Sequence, residues 1–286
     1  MSMPSRLKKL LQQPGVHLTP SSTDALTARL IAEAGFEIAY MGGNATTASR
    51  LGVPDVGLLT MTEMADNAAR IADASGLPLI VDADTGYGNA LNVRRTVRAF
   101  ERAGAAGLHI EDQTSPKKCG HFAGKQLIGA SEMIGKINAA LDARDDADFL
   151  IIARTDAIAV EGFDAAFDRL SAYREAGADM VMFGPPCHAE DLAKAAKLDT
   201  PIACVLDTSG NTPLQPAATL EAFGVKIGIL PTAVPMAVIS GVRKLLADIR
   251  QTGSLENNSL DLASFEDYNN VLGLAEIKSL ETRYKT

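Results

Sequence analysis

The sequence is poor in cysteine, short of positive charge and without a long apolar run, and each shortage excludes a class of protein. Three cysteines, Cys119, Cys187 and Cys204, form an odd set with no CxxC pair. A disulfide framework or a structural zinc site is therefore not expected, and a reducing cytoplasm is the expected compartment. No stretch of roughly 18 apolar residues occurs, so no membrane-spanning helix is expected. The first residues carry Arg6, Lys8 and Lys9 beside only a very short apolar stretch, which does not read as a signal peptide. Lys and Arg total 27 against 35 Asp and Glu, a formal net charge of −8. That balance disfavours nucleic acid or an anionic membrane as the main partner. A small anionic substrate stays open, because a bound metal ion reverses the local sign.

What is present is a regular alternation. The chain has 286 residues, 47% of them hydrophobic, enough for a large core. Short runs rich in Val, Ile and Leu fall at residues 15–18, 36–41, 77–81, 107–110, 149–153, 180–183, 201–206 and 225–230. Runs that are apolar throughout fit parallel strands covered on both faces. Between them lie amphipathic stretches at 23–34, 62–75, 92–103, 131–143 and 164–176, several stopping at a glycine in the helix C′ position. Eight such βα units predict a (β/α)8 TIM barrel over residues 1–253. The alternative is an open doubly wound sheet, disfavoured because no GxGxxG follows the first strand. Residues 254–286 exceed what a barrel needs and read as a helical extension, with a helix over 265–283.

A barrel of this kind carries its site at the C-terminal strand ends. There the sequence places Gly42, Gly43 and Asn44, then Asp82 and Asp84, then His109 and Glu111, then Arg154. Asp82 and Asp84, two apart, are expected on one face of their strand. With Glu111 they would repel unless a cation shared them, and hard oxygen ligands suit Mg²⁺ or Mn²⁺. Taken singly, such an acid is as readily a helix cap. Residues 113–129 read as a long loop, of the kind that serves as a lid. Within it Cys119 follows Lys117 and Lys118 and precedes His121, positive neighbours that poise a thiol.

The segments "MGGN", "DADTGYGNALNV", "GLHIEDQ", "KKCGH" and "IIARTDA" resemble the isocitrate lyase/phosphoenolpyruvate mutase superfamily over about residues 5–253. The "KKCGH" loop resembles that of its carbon–carbon lyase branch, which includes isocitrate, 2-methylisocitrate and 2,3-dimethylmalate lyases. The resemblance implies that Asp82, Asp84 and Glu111 hold Mg²⁺, partly through water, with Asp55 nearby. It implies that the Gly42 and Gly43 amides and Arg154 bind a carboxylate, and that Tyr40 lies near the reacting hydroxyl. It implies that Cys119 protonates the departing carbanion, with Lys117 and His121 beside it. It further implies a homotetramer, a dimer of dimers, with a C-terminal helix swapped between subunits.

The sequence departs from that pattern in two places. The end of the sixth strand reads Phe183-Gly184-Pro185-Pro186, where the lyases carry a glutamate. After the seventh strand, Val205 stands where an amide donor is expected, and Asp207 is added. Both disfavour a tricarboxylic substrate, since a missing hydrogen-bond partner discriminates strongly. The expected activity is cleavage of a malate derivative, such as an alkylmalate or a methylisocitrate-like acid, to pyruvate or glyoxylate and a carboxylate. The alternatives are an oxaloacetate decarboxylase or C–C hydrolase, or a phosphonopyruvate hydrolase or mutase. Cys187 and His188 are read as loop residues without a role.

Overall fold

A computed structural model describes residues 1–207, 215–256 and 258–285. Eight parallel strands follow one another: β1 His17–Pro20, β2 Ala39–Met41, β3 Leu79–Asp82, β4 Ala105–Glu111, β5 Leu150–Thr155, β6 Met180–Phe183, β7 Ile202–Val205 and β8 Val225–Leu230. Each hydrogen-bonds its sequence neighbour, and β1 pairs with β8. A parallel bridge from Ser21 to Tyr40, with Ser22 N–H donating to the Tyr40 carbonyl at 2.8 Å, closes the ring between β1 and β2. That closure makes the sheet a (β/α)8 barrel and excludes the open sheet.

Strand alternation divides the core in two. Ile38, Tyr40, Ile80, Ile152, Met180, Met182, Ala203, Val205, Ile227 and Ile229 fill the barrel, while Met41, Val81, Leu108, Ile151 and Val181 pack outward under the helices. The two sets alternate along β2, β3, β5, β6 and β7, so these strands are largely apolar on both faces, whereas β4 turns His109 and Glu111 inward. A helix over Met3–Leu11, which the sequence reading did not identify, closes the N-terminal mouth. Its Leu7 and Leu10 join the interior cluster, each burial contributing about 1.5–3 kcal/mol.

The five expected helices form at Ala25–Glu33, Met61–Ser75, Ala90–Arg102, Ala130–Leu141 and Phe163–Glu175. Met61–Ser75 is typical in its ends. Thr60 and Glu63 make a capping box, and Gly76 ends the helix at φ 60°, a left-handed conformation glycine adopts without penalty. The long helix after β8, Ala233–Thr252, has no buried residue and exposes Met236, Val238, Ile239, Val242 and Leu246. The expected single helix over 265–283 is instead two, Phe265–Val271 and Leu274–Tyr284. They break at Gly273, whose φ of 76° no α-helix accommodates. No helix is long and apolar enough to cross a membrane among the described residues.

Candidate active site

The inward side chains at the C-terminal strand ends converge on one cavity. Its lining includes Tyr40, Asn44, Asp55, Asp82, Lys117, Cys119, His121, Arg154, Pro185 and Val205. Tyr40 lies on β2, Asp82 ends β3, His109 and Glu111 lie along β4, and Arg154 and Val205 lie on β5 and β7. The helix Gly43–Leu51 aims its N-terminus, the positive end of its dipole, at the same point. There Gly43 N–H donates to Asp82 Oδ2 at 3.0 Å, and Gly42 N–H donates to Ser21 Oγ at 3.2 Å. A Cβ on Gly43 would lie 3.1 Å from Asp82 Oδ2, 3.2 Å from Asp84 Oδ1 and 3.3 Å from Lys117 Nζ. Only glycine lets this backbone approach so closely.

Asp84 reaches the cavity by a different route from the one expected. The strand ends at Asp82, so period-two alternation does not place Asp84. Instead Asp84 adopts φ 48°, a left-handed conformation that Asp tolerates, and its carbonyl accepts from Glu111 N–H at 2.9 Å. Its own N–H donates to Asp82 Oδ1 at 3.0 Å. A strained turn, rather than a flat strand, brings the carboxylates together.

The loop 113–129 lies closed over the cavity. Its ends pair as a small antiparallel ladder, Gln113 with Leu127, and Thr114 N–H donates to the Gln126 carbonyl at 2.8 Å. Lys117 is buried, donating to Asp55 Oδ2 at 2.6 Å and lying 2.8 Å from Asp84 Oδ1. Cys119 is buried as well, and its N–H donates to the Asp55 carbonyl at 3.1 Å. The thiol Sγ is 3.7 Å from His121 Nδ1 and 3.5 Å from Asn44 Nδ2. His121 Nε2 bonds Asp207 Oδ2. Burial alone would raise the Cys119 thiol, but the His121 hydrogen bonds hold it below its ordinary value. The bond to Cys119, and then that to Asp207, raise the His121 imidazole. Asp207 is thus paired with His121, a contact the sequence did not suggest. Residues 208–210, which follow it, lie outside the described residues.

Arg154 is held from two sides. Its Nη1 is 3.1 Å from Glu111 Oε2, and Nε and Nη2 are 3.0 and 3.1 Å from the two Asp156 oxygens. A Cβ on Gly184 would lie 2.2 Å from Asp156 Oδ1. The space left by the missing glutamate at the end of β6 is therefore taken up by Asp156. Asp156 also accepts from Gln113 Nε2 at 3.2 Å and Lys125 Nζ at 3.1 Å. On the opposite wall Tyr40 Oη and His109 Nε2 are 2.9 Å apart, with the rings stacked. Burial drives His109 down to about 4, so it is neutral.

This geometry agrees with the comparison to known proteins. Residues 7–250 match the family model of phosphoenolpyruvate phosphomutase. The 2,3-dimethylmalate lyase of Eubacterium barkeri is 41% identical over 288 residues, covering 100% of this chain and 99% of that protein. A structure of oxaloacetate acetylhydrolase in complex with 3,3-difluorooxalacetate superposes with a TM-score of 0.92 at 34% identity, covering 98% of this chain and 96% of that one. The chain belongs to the phosphoenolpyruvate mutase/isocitrate lyase superfamily. Its full-length lyase relative makes it an enzyme of the carbon–carbon lyase class.

Another superfamily structure, phosphonopyruvate hydrolase, is described in complex with oxalate and Mg²⁺, at a TM-score of 0.90, 31% identity and 99% coverage of both chains. The residues here fit such a cation. Buried Asp55, Asp82, Asp84, Glu111 and Asp156 face buried Lys117, Lys125 and Arg154, a surplus of negative charge in a dry site. Burial pushes Asp84 up to about 7, against the pull of Lys117, and pushes Glu111 well above the carboxylate range despite Arg154. Among the described residues, Glu111 Oε1 is buried without a hydrogen-bond partner. A further positive charge is what would keep all these carboxylates ionised. Among the described residues no three acid, His or Cys side chains already close into a cage. The donor set thus suits Mg²⁺, which keeps several waters of its own.

Of the expected residues, Tyr40, Gly42, Gly43, Asn44, Asp55, Asp82, Lys117, Cys119, His121, Arg154 and Val205 all line the cavity. Asp84, Glu111 and Asp207 touch it through Lys117, Arg154 and His121. His188 instead begins the helix Ala189–Ala195. Sequence reasoning gave no role to three participants. His109 was placed at the strand end, two residues before Glu111 on the same strand face. Asp156 lies two residues after its partner Arg154, whereas Lys125 carried little signal because it meets Asp156 from 31 residues away.

Proposed function

We propose that the chain is a divalent-cation-dependent lyase that cleaves a 2-hydroxy dicarboxylate of the malate type to a 2-oxo acid and a carboxylate. The observation that carries this reading is the Cys119–His121–Asp207 array facing the Asp82–Asp84–Glu111 carboxylates across one cavity. Cleavage needs the substrate hydroxyl to lose its proton, the adjacent C–C bond to break, and the carbanion left behind to gain a proton. Tyr40 is the group for the first step. With the His109 proton on Nδ1, toward Asp82 Oδ1 at 3.7 Å, Nε2 accepts from the Tyr40 hydroxyl. The Tyr40 oxygen is then free to take the substrate proton while passing its own to His109. Cys119 Sγ donates the proton to carbon, and His121 replenishes it. Arg154 and the first-turn amides of the helix Gly43–Leu51 orient a substrate carboxylate. When bound at Asp82, Asp84 and Glu111, Mg²⁺ or Mn²⁺ supplies Lewis-acid stabilisation of the developing negative charge. The closed loop excludes water from the carbanion.

A second reading is C–C hydrolysis or decarboxylation of oxaloacetate, supported by the likeness to oxaloacetate acetylhydrolase at 34% identity. Phosphonate chemistry is the third, and the thiol array gives it no role. The deciding experiment incubates purified protein and Mg²⁺ with a panel of malate derivatives, methylisocitrate, oxaloacetate and phosphonopyruvate. Pyruvate or glyoxylate from an alkylmalate supports the lyase. Turnover of oxaloacetate alone refutes it.

The exposed apolar face of Ala233–Thr252 supports a homo-oligomer in which this helix packs on a neighbouring subunit, as in a swapped dimer within a tetramer. We place residues 1–253 as the catalytic barrel and 254–286 as its extension. A cytoplasmic location fits three buried cysteines that form no disulfide.

A further inference from the structure

We infer that Lys125 is a positioning residue, the latch that holds the cysteine loop shut and ties its closure to Arg154. Lys125 lies beyond Cys119 in the same loop, yet its side chain is buried. Its ammonium donates to the Gly120 carbonyl inside the loop, to Asp156 Oδ1 at 3.1 Å and to the Pro185 carbonyl at 2.8 Å. An ammonium has three donors, and here each has a partner on a different segment: the loop, the end of β5 and the turn after β6. Among the described residues no other loop side chain bridges all three of these segments. Lys117 binds Asp55 and Asp84, and Gln113 ties the Lys118 backbone to Asp156 Oδ2 without reaching the turn after β6.

The contact is tight where it matters. A Cβ on Gly120 would lie 2.7 Å from Arg154 Nη2 and 2.9 Å from Pro185 Cδ, so the loop backbone rests directly on the arginine and the β6 turn. Asp156 is shared: its Oδ1 accepts from Arg154 Nη2 and from Lys125, and its Oδ2 lies 3.0 Å from Arg154 Nε. Opening the loop would withdraw Lys125 from a buried carboxylate and leave Arg154 to balance it alone, at a large electrostatic cost. Closing it restores Lys125 and fixes the Asp156 oxygens that orient the guanidinium. The loop position that brings Cys119 to the cavity is thus the one that fixes the carboxylate-binding arginine.

This inference rests on the lyase reading for its kinetic consequence but not for its structural one. The test uses the full-length protein and Lys125→Met. The first readout is the rate of iodoacetamide modification at each cysteine, resolved by peptide mass. Cys187 and Cys204 are buried in the layer between barrel and helices and report unfolding. The expected result is a Cys119 rate raised about tenfold or more, from loss of a charge-assisted contact set, with the other two thiols unchanged. An unchanged Cys119 rate in the folded variant overturns the latch. If all three thiols become reactive together, the same comparison is made on Lys125→Gln, which is shorter and loses the charge but keeps a hydrogen-bond donor. The second readout uses whichever substrate the screen identifies. A kcat lowered about tenfold with KM moved much less supports a closure defect. Equal kcat in variant and wild type overturns it. Absence of any substrate would fail the lyase reading while the alkylation result still decides the latch.

Discussion

Replacing Asp207 by Asn tests whether the thiol array works as a unit. The change keeps the shape and the hydrogen bond to His121 but removes the charge. A hydrogen bond to a charged group contributes about 1.5–3 kcal/mol, against about 1 kcal/mol for a neutral one. The difference of about 1–2 kcal/mol corresponds to roughly one pKa unit on His121. Asp207 raises the imidazole, so the variant loses its imidazolium at lower pH than wild type. His121 in turn holds the Cys119 thiol down, so the thiol midpoint moves up. The window in which thiolate and imidazolium coexist therefore narrows from both sides.

The assay is the rate of Cys119 alkylation across pH. One unit on the thiol costs about tenfold in thiolate below its midpoint. A more basic thiolate regains about threefold in nucleophilicity, leaving a net slowing of about threefold at fixed pH. The midpoint of the profile should rise by up to about one unit. Superimposable profiles for wild type and Asp207→Asn would refute the array and return Asp207 to the role of a substrate-facing acid.

Other consequences follow from the same geometry. Cys119→Ser removes an acid poised by His121 and should lower C–C cleavage by about 10²–10⁴-fold while substrate affinity holds; unchanged turnover would sink the proton-donor role. EDTA should abolish activity and Mg²⁺ or Mn²⁺ restore it. Independently of turnover, Mg²⁺ at about 100 times its Kd should stabilise the fold by about 2.7 kcal/mol, read as a rise in Tm. No Tm response and metal-independent turnover together would remove the carboxylate-cation argument. A chain ending at Gly253 should change its oligomeric state in size-exclusion with light scattering; an unaltered oligomer rejects a role for the extension in assembly.

The fold was legible because strands buried on both faces leave an unbroken apolar signature, and because glycines such as Gly76 mark where helices stop. Gly273 carried the same signal inside the extension and was passed over, which is why one helix was expected where there are two. The N-terminal helix is only nine residues long and its inward stripe rests on Leu7 and Leu10, too short for periodicity to stand out. The site was legible wherever a residue lies at a strand end. It was illegible wherever a side chain acts across the sequence: Asp207 meets His121 from 86 residues away, and Lys125 meets Asp156 from 31. Asp84 was placed correctly for the wrong reason, since a left-handed turn and not strand alternation carries it inward.

The charge arrangement bears on which acids the cavity would admit. Lys117, Lys125 and Arg154 are each engaged by the enzyme's own carboxylates, so none is idle for a distant substrate group. A divalent cation at the surplus acids would bring the cluster near neutrality. The first substrate carboxylate then has the Gly43–Leu51 helix terminus and Arg154, and a second has the raised His121 within the same cavity. A third would meet a wall that includes the apolar side chains of Val205, Pro185 and Pro231 beside Asn44 and Thr232. Burying an uncompensated charge costs about 3–5 kcal/mol, or roughly 10²–10⁴-fold in discrimination. The apolar wall that rejects a carboxylate accepts a methyl or ethyl group, gaining about 0.8 kcal/mol per buried carbon. On the proposed lyase reading, Val205 at the wall and Asp207 on His121 would together shift preference from tricarboxylates toward alkylated malates by one physical route.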